Sequence, residues 1–125
     1  MSGIYRRCKP VRDRAFYDQY LMDHTRCFFC GQRDGLSRHH IIGGVGRSDE
    51  ACNLTIACLM RCHPLAEGER VAEGKTIYEP LTLGMVLSVK KMRTPDEMNL
   101  ERLTELYGQT LPDFEQPPAW IKPWR

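Results

Sequence analysis

Apolar positions along the 125-residue chain change their period from one stretch to the next, and the changes mark out its elements. In 12–22, Phe16, Tyr20 and Leu21 recur at helical spacing, with Asp13, Arg14, Asp18 and Gln19 mostly off that face, which predicts a short amphipathic helix. From 27 to 69 the helical period disappears. The chain becomes rich in Gly, Cys and His, with turn signals at Cys30-Gly31, Asp34-Gly35 and Gly43-Gly44. Within it, 36–42 and 53–56 predict short strands separated by a glycine-rich loop, and a helix is predicted to begin near Cys58 or Cys62. Further on, Thr82 is the predicted N-cap of a helix over 83–92. Thr94-Pro95-Asp96-Glu97 predicts the start of another, with threonine as cap, proline at the first position and acidic residues in the first turn. Met98, Leu100, Leu103, Leu106 and Tyr107 continue that helical pattern as far as Gly108. Pro112, Pro117, Pro118 and Pro123 then forbid a helix, so the tail is predicted to run extended, with Trp120 and Trp124 packed on the protein.

The order of elements predicts an α+β fold in a small single domain. Its parts are a basic arm and short helix over 1–26, a cysteine- and histidine-rich core over 27–70, and a helical C-terminal extension over 71–125. A hydrophobic fraction of 42% and a charged fraction of 27% are those of a folding chain. The net charge of +2 fits a nucleic-acid partner without requiring one. Arg6, Arg7, Lys9, Arg12, Arg14 and Arg26 cluster around the first helix. They suit either a phosphate backbone or a solvated basic arm. With no apolar signal-peptide core and no run long enough to cross a bilayer, the expectation is a cytoplasmic protein with no membrane partner.

In a reducing compartment six cysteines are not expected to pair as disulfides, so the secreted disulfide scaffold is set aside and their spacing points to a metal. Cys27-Phe28-Phe29-Cys30-Gly31 has the form of a knuckle: two thiolates separated by two residues aim at one tetrahedral ion, and glycine permits the turn that follows. Cys58 and Cys62 are four apart, which on a helix puts both sulfurs on one face. The four predict a structural Zn²⁺ site; the bland alternative is a set of buried thiols. Cys8 and Cys52 have no partner at ligand spacing and read as ordinary small residues, Cys52 being a substitute ligand only.

Between the cysteine pairs lie His39-His40-Ile41-Ile42-Gly43, Asp49-x-x-x-Asn53-Leu54 and Cys62-His63. In this order and framing the chain resembles the HNH endonuclease family, specifically the branch in which zinc-bound cysteine pairs frame a ββα-metal hairpin. The resemblance covers about a third of the chain. It implies a metal-dependent DNA endonuclease in which His39 and His63 bind a catalytic divalent cation (Mg²⁺, Mn²⁺, Ni²⁺ or Zn²⁺). It also implies that His40 is the general base and that the Asn53 amide orients that base and fixes the loop. The small size is similar to phage-encoded and mobile-element members, which implies DNA as partner and a place in a larger phage or mobile-element complex.

Elementary chemistry supports a division of labour between the two histidines. Hydrolysis of a phosphodiester needs a base near neutral pH and a cation to stabilise charge on the leaving oxygen, and imidazole serves both needs. Adjacent residues on a strand face opposite ways, so His39 and His40 are expected to differ in role. The chain departs from the family in having Leu59, Met60 and Arg61 inside the second cysteine pair, where two residues are usual. This leaves open which of Cys62 and His63 faces which metal. Glu67, a helical turn past His63, is a reserve oxygen ligand or, more simply, a solvated residue. In the loop 43–49, Arg47 either clamps a phosphate or belongs to a plain connection, Asp49 reads as a turn or cap residue, and His24 as a surface or capping residue. The competing function is a noncatalytic zinc module that binds nucleic acid or protein, which accounts for the cysteines but not for Asn53 beside two further histidines. A small-molecule zinc hydrolase is weaker still, because no apolar pocket-forming segment surrounds the histidines.

Overall fold

A computed structural model describes residues 9–122; the expectations placed on Arg6, Arg7, Cys8, Pro123 and Trp124 lie outside them. Helix α1 spans Arg14–Asp23, and Asp13 caps it by accepting a hydrogen bond from the Phe16 amide. The cap explains why the helix starts two residues later than the apolar pattern alone suggests. His24 closes the C-terminal end, its Nδ1 lying 2.8 Å from the Tyr20 carbonyl oxygen and its ring stacked on Tyr20. Strands β1 (Leu36–His40) and β2 (Leu54–Cys58) form an antiparallel ribbon in which His39 lies opposite Thr55 and His40 opposite Leu54. Helix α2, Cys62–Ala66, follows directly. The strand, loop, strand, helix order of the core is therefore observed, with β1 ending before Ile41 and β2 running on to Cys58.

The C-terminal extension, expected to be helical with an extended tail, opens with a second hairpin, β3 (Val71–Glu73) and β4 (Thr76–Tyr78). Its turn is Gly74-Lys75, with Gly74 at φ 60°, a conformation that glycine adopts freely. Helix α3, Leu83–Arg93, is capped by Thr82, whose hydroxyl accepts from the Met85 amide. The expected continuation from Thr94 does not occur as written. Pro95–Glu97 make only a 3-10 turn, Met98 is extended, and helix α4 (Leu100–Tyr107) begins under a different cap, Asn99, which accepts from the Arg102 amide. Asn99 competes successfully because its side chain satisfies an orphan amide one turn later, in register with the apolar stripe of Leu103 and Leu106.

The core is one cluster joining all these elements, with Phe28, Phe29, Leu54, Ile56, Leu65, Leu87 and Leu103 wholly buried. Fold class is accordingly mixed α+β in a small single domain, with two antiparallel ribbons among the described residues. Close backbone contacts hold the periphery in place. A side chain at Gly84 would put its Cβ 2.3 Å from the Asp113 carbonyl oxygen, so the glycine lets the extended tail lie on α3. Trp120 then packs edge-on against Tyr78 at 5.3 Å, as expected of a structural tryptophan. Lys90 is fully buried beneath β2; its ammonium donates to the Ala51 and Leu54 carbonyls (2.6 and 2.8 Å) and to Glu97 (2.5 Å). No helix among the described residues is long and apolar enough to cross a membrane.

Candidate functional site

The sulfurs of Cys27, Cys30, Cys58 and Cys62 all lie within 4.8 Å of one another, and Cys30 and Cys58 approach to 3.9 Å. Sulfurs bound at about 2.3 Å around a tetrahedral zinc stand roughly 3.8 Å apart, so the donor set fits that ion. Backbone amides support the thiolates: Phe29 and Cys30 point theirs at Cys27 Sγ (3.4 Å each), and Cys62 at Cys58 Sγ (3.3 Å). So close together, the thiols perturb one another strongly, driving Cys27 and Cys62 up and Cys30 and Cys58 down in pKa. A cation among them removes that conflict. Cys62 belongs to this cluster despite the three-residue interval, because α2 begins at Cys62 and turns the sulfur inward. Cys52 is buried in the core away from the cluster.

Strand alternation sorts the rest of the site. Ser37 and His39 share the face of β1 toward α2, and Arg38 and His40 share the face toward α1. On the first face His39 is only 4% exposed, and its ring meets that of His63 edge-on, centroids 5.4 Å apart. Each ring has a hydroxyl at its Nδ1: Ser37 Oγ at 2.6 Å from His63, and Thr55 Oγ1 at 3.2 Å from His39. Both hydroxyls give their single proton to a backbone carbonyl, Ser37 to Ala57 (2.8 Å) and Thr55 to His39 (3.4 Å). At His39 the hydroxyl then accepts from the imidazole, which places the ring proton on Nδ1 and leaves Nε2 bare; at His63 the second nitrogen also faces an oxygen. Glu67 lies 3.2 Å from His63 Nε2. Burial, aided by the neighbouring His63 and His40, holds His39 down at about 3, so it is neutral at neutral pH.

On the second face His40 stacks on Tyr17, ring centroids 5.4 Å apart and planes 8° from parallel, while the Arg38 guanidinium sits 4.1 Å from the same Tyr17 ring. His40 Nε2 lies 2.9 Å from Asp49 Oδ1, and burial pushes its pKa down against the opposing pull of that carboxylate. Asn53 is wholly buried, and its amide closes the glycine-rich loop. It accepts from the Ile42 amide (2.7 Å) and donates to the Ile42 and Ser48 carbonyls (3.1 Å each). The loop-fixing role expected of Asn53 matches these contacts. The groups that meet the His40 ring are Asp49 and Tyr17.

The basic residues disperse. Arg12, Arg14 and Arg47 line one cleft with Tyr17, His40 and Asp49, and Arg12 donates to the Arg47 carbonyl. Lys9 turns its carbonyl to Arg102, and half-buried Arg26 lies outside that cleft. His40 borders a second cavity of about 570 Å³, whose walls include His39, Glu67, Glu69 and Val86. Ser37, Thr55, Tyr17 and Asp49 went unrecognised in the sequence as site residues. The usable signal was that Ser37 stands two residues from His39 on one strand face. No known family, curated protein or solved structure matches the chain.

Proposed function

We propose that the protein is a metal-dependent DNA endonuclease that hydrolyses phosphodiester bonds. The observation that carries the reading is the pair of facing imidazoles, His39 on β1 and His63 on α2. Each has Nδ1 committed to a hydroxyl; His39 lines a cavity together with Glu67 and His40, and Glu67 reaches His63 Nε2 at 3.2 Å. Such fixing of ring orientation by outer partners is what metal-binding histidines require. His39, His63 and Glu67 would hold the divalent cation, which supplies charge stabilisation for the phosphoryl group and leaving oxygen. Among the described residues the four cysteines are the group whose ligand atoms lie within 4.8 Å of one another, so His39, His63 and Glu67 would have to draw closer to hold the cation.

His40, neutral at neutral pH, takes the proton of the attacking water as its oxygen bonds to phosphorus and the bond to the leaving oxygen breaks. Arg12, Arg14 and Arg47 offer the cleft beside it to phosphates. The cysteine cluster staples the first knuckle to the β2–α2 junction and so fixes the distance between His39 and His63. A phage or mobile-element setting and DNA as the polymer rest on the resemblance alone.

The test combines a metal count with plasmid cutting. The expected result is a single tightly held zinc per chain plus a weaker site for Mn²⁺, and conversion of supercoiled DNA to nicked or linear forms with Mg²⁺, Mn²⁺ or Ni²⁺. His40→Ala is expected to abolish cutting while keeping zinc. Undiminished cutting by that variant overturns the assignment of the base. Zinc without a second cation site and without cutting supports the noncatalytic zinc module instead.

A further inference from the structure

We infer that Asp49 is a positioning residue for His40: it holds the ring with its proton on Nε2, so that Nδ1 is the nitrogen that accepts the proton from water. This rests on the nuclease reading for its catalytic part but not for its structural part. Asp49 Oδ1 lies 2.9 Å from His40 Nε2, and both side chains are 13% exposed. A carboxylate at neutral pH only accepts, so the nitrogen facing it carries the proton. A ring that acts as a base carries a single proton, so with Nε2 on Asp49 the nitrogen left bare is Nδ1.

The carboxylate is itself held from more than one side. Its second oxygen accepts from the Asp13 amide (2.9 Å), and the Asp49 amide donates to the Val11 carbonyl (2.8 Å). These contacts tie it to the start of α1, the helix that supplies the Tyr17 ring stacked on His40. The imidazole is therefore clamped in plane by tyrosine and in rotation by aspartate.

Two further features separate this from a simple loop staple. Asp49 sits in a cleft that Arg12, Arg14, Arg47, Tyr17 and His40 also line, where a negative charge weakens attraction for phosphate, so its presence there opposes binding. Its placement also reverses the arrangement at the neighbouring ring. His39 has its oxygen partner on Nδ1, whereas His40 has its own on Nε2. Adjacent histidines are thereby set to offer different atoms.

The experiment reads the tautomer first and activity second. Long-range ¹H–¹⁵N correlation spectra of ¹⁵N-histidine-labelled, zinc-loaded protein at neutral pH are expected to show a protonated Nε2 and a bare Nδ1 at His40. The signals are assigned by their loss in His40→Gln. A bare Nε2 overturns the proposal, whether or not the protein cuts DNA, so failure of the nuclease reading and failure of this one remain distinct. In Asp49→Ala the ring is expected to lose its single tautomer. If the wild type cuts DNA, kcat is expected to fall about 10- to 100-fold, the usual cost of losing an outer partner of a working histidine, with KM level or lower. Asp49→Glu is expected to recover part of kcat. A fall confined to KM, or an unchanged kcat in a folded Asp49→Ala protein, also overturns it. Should Asp49→Ala fail to fold, the wild-type tautomer decides.

Discussion

Asn53 is the buried polar residue whose removal has the most readable cost. Asn53→Ala deletes one acceptor and one donor group that together satisfy the Ile42 amide and the Ile42 and Ser48 carbonyls. Ile42 is 5% exposed and Ser48 is fully buried, so water does not replace the lost partners. An unsatisfied buried group costs about 1–3 kcal/mol, and an amide N–H tolerates it less well than a carbonyl with a second lone pair. The sum is on the order of 3–5 kcal/mol, a large share of the roughly 5–15 kcal/mol that stabilises a typical domain. Asn53→Asp sharpens the reasoning. It keeps the acceptor for the Ile42 amide but turns an oxygen toward two carbonyls, which only a protonated carboxyl can satisfy. Its folded-state pKa is thus raised, so its stability is retained below the unfolded value, about 3.9, and lost as pH rises through the folded value. Urea unfolding of both variants, followed by Trp120 fluorescence at fixed excess zinc, measures this. Asn53→Ala is expected to unfold at far lower urea, and the gap between Asp and Ala variants to move in favour of Asp on acidification. A loss below about 1 kcal/mol with an unchanged m-value refutes the account of the loop.

Two other perturbations follow from buried groups. Lys90→Met leaves Glu97 without its ammonium and strips a donor from the Ala51 and Leu54 carbonyls, so a loss of about 3–5 kcal/mol is expected by thermal or urea unfolding. Pairing Lys90→Met with Glu97→Gln should restore part of it if the ion pair is the cause. For His39 the sign is set by its depressed folded-state pKa of about 3. Its contribution is fully present above the unfolded value near 6.5 and is lost as pH falls toward 3, at up to about 1.4 kcal/mol per pH unit. Stability measured against pH, wild type minus His39→Gln, isolates that slope from zinc release; a flat difference between pH 6.5 and 4 contradicts the burial argument.

Much of the molecule was legible in the chain because local chemistry decides it. Turn glycines, the Thr82 cap and the period of Leu103 and Leu106 are short-range signals, and the knuckle Cys27-x-x-Cys30 states its own geometry. Strand alternation likewise required His39 and His40 to face apart. Local chemistry does not decide the structure where two local solutions are nearly equal. Asn99 and Thr94 are both of a type that can cap a helix; Thr94 instead donates its hydroxyl to the Lys90 carbonyl at the end of α3, and the burial of Leu103 and Leu106 selected Asn99. The hairpin of β3 and β4 was hidden because strands of three residues leave almost no period to read. Tertiary structure alone decided the partners of each polar group. That Asp49 meets His40, that Ser37 and Thr55 meet the rings of His63 and His39, and that Arg12 and Arg47 converge while Arg26 does not are consequences of packing between elements far apart in the chain. A residue type states which bonds it can make; only the folded backbone brings the atom that completes them.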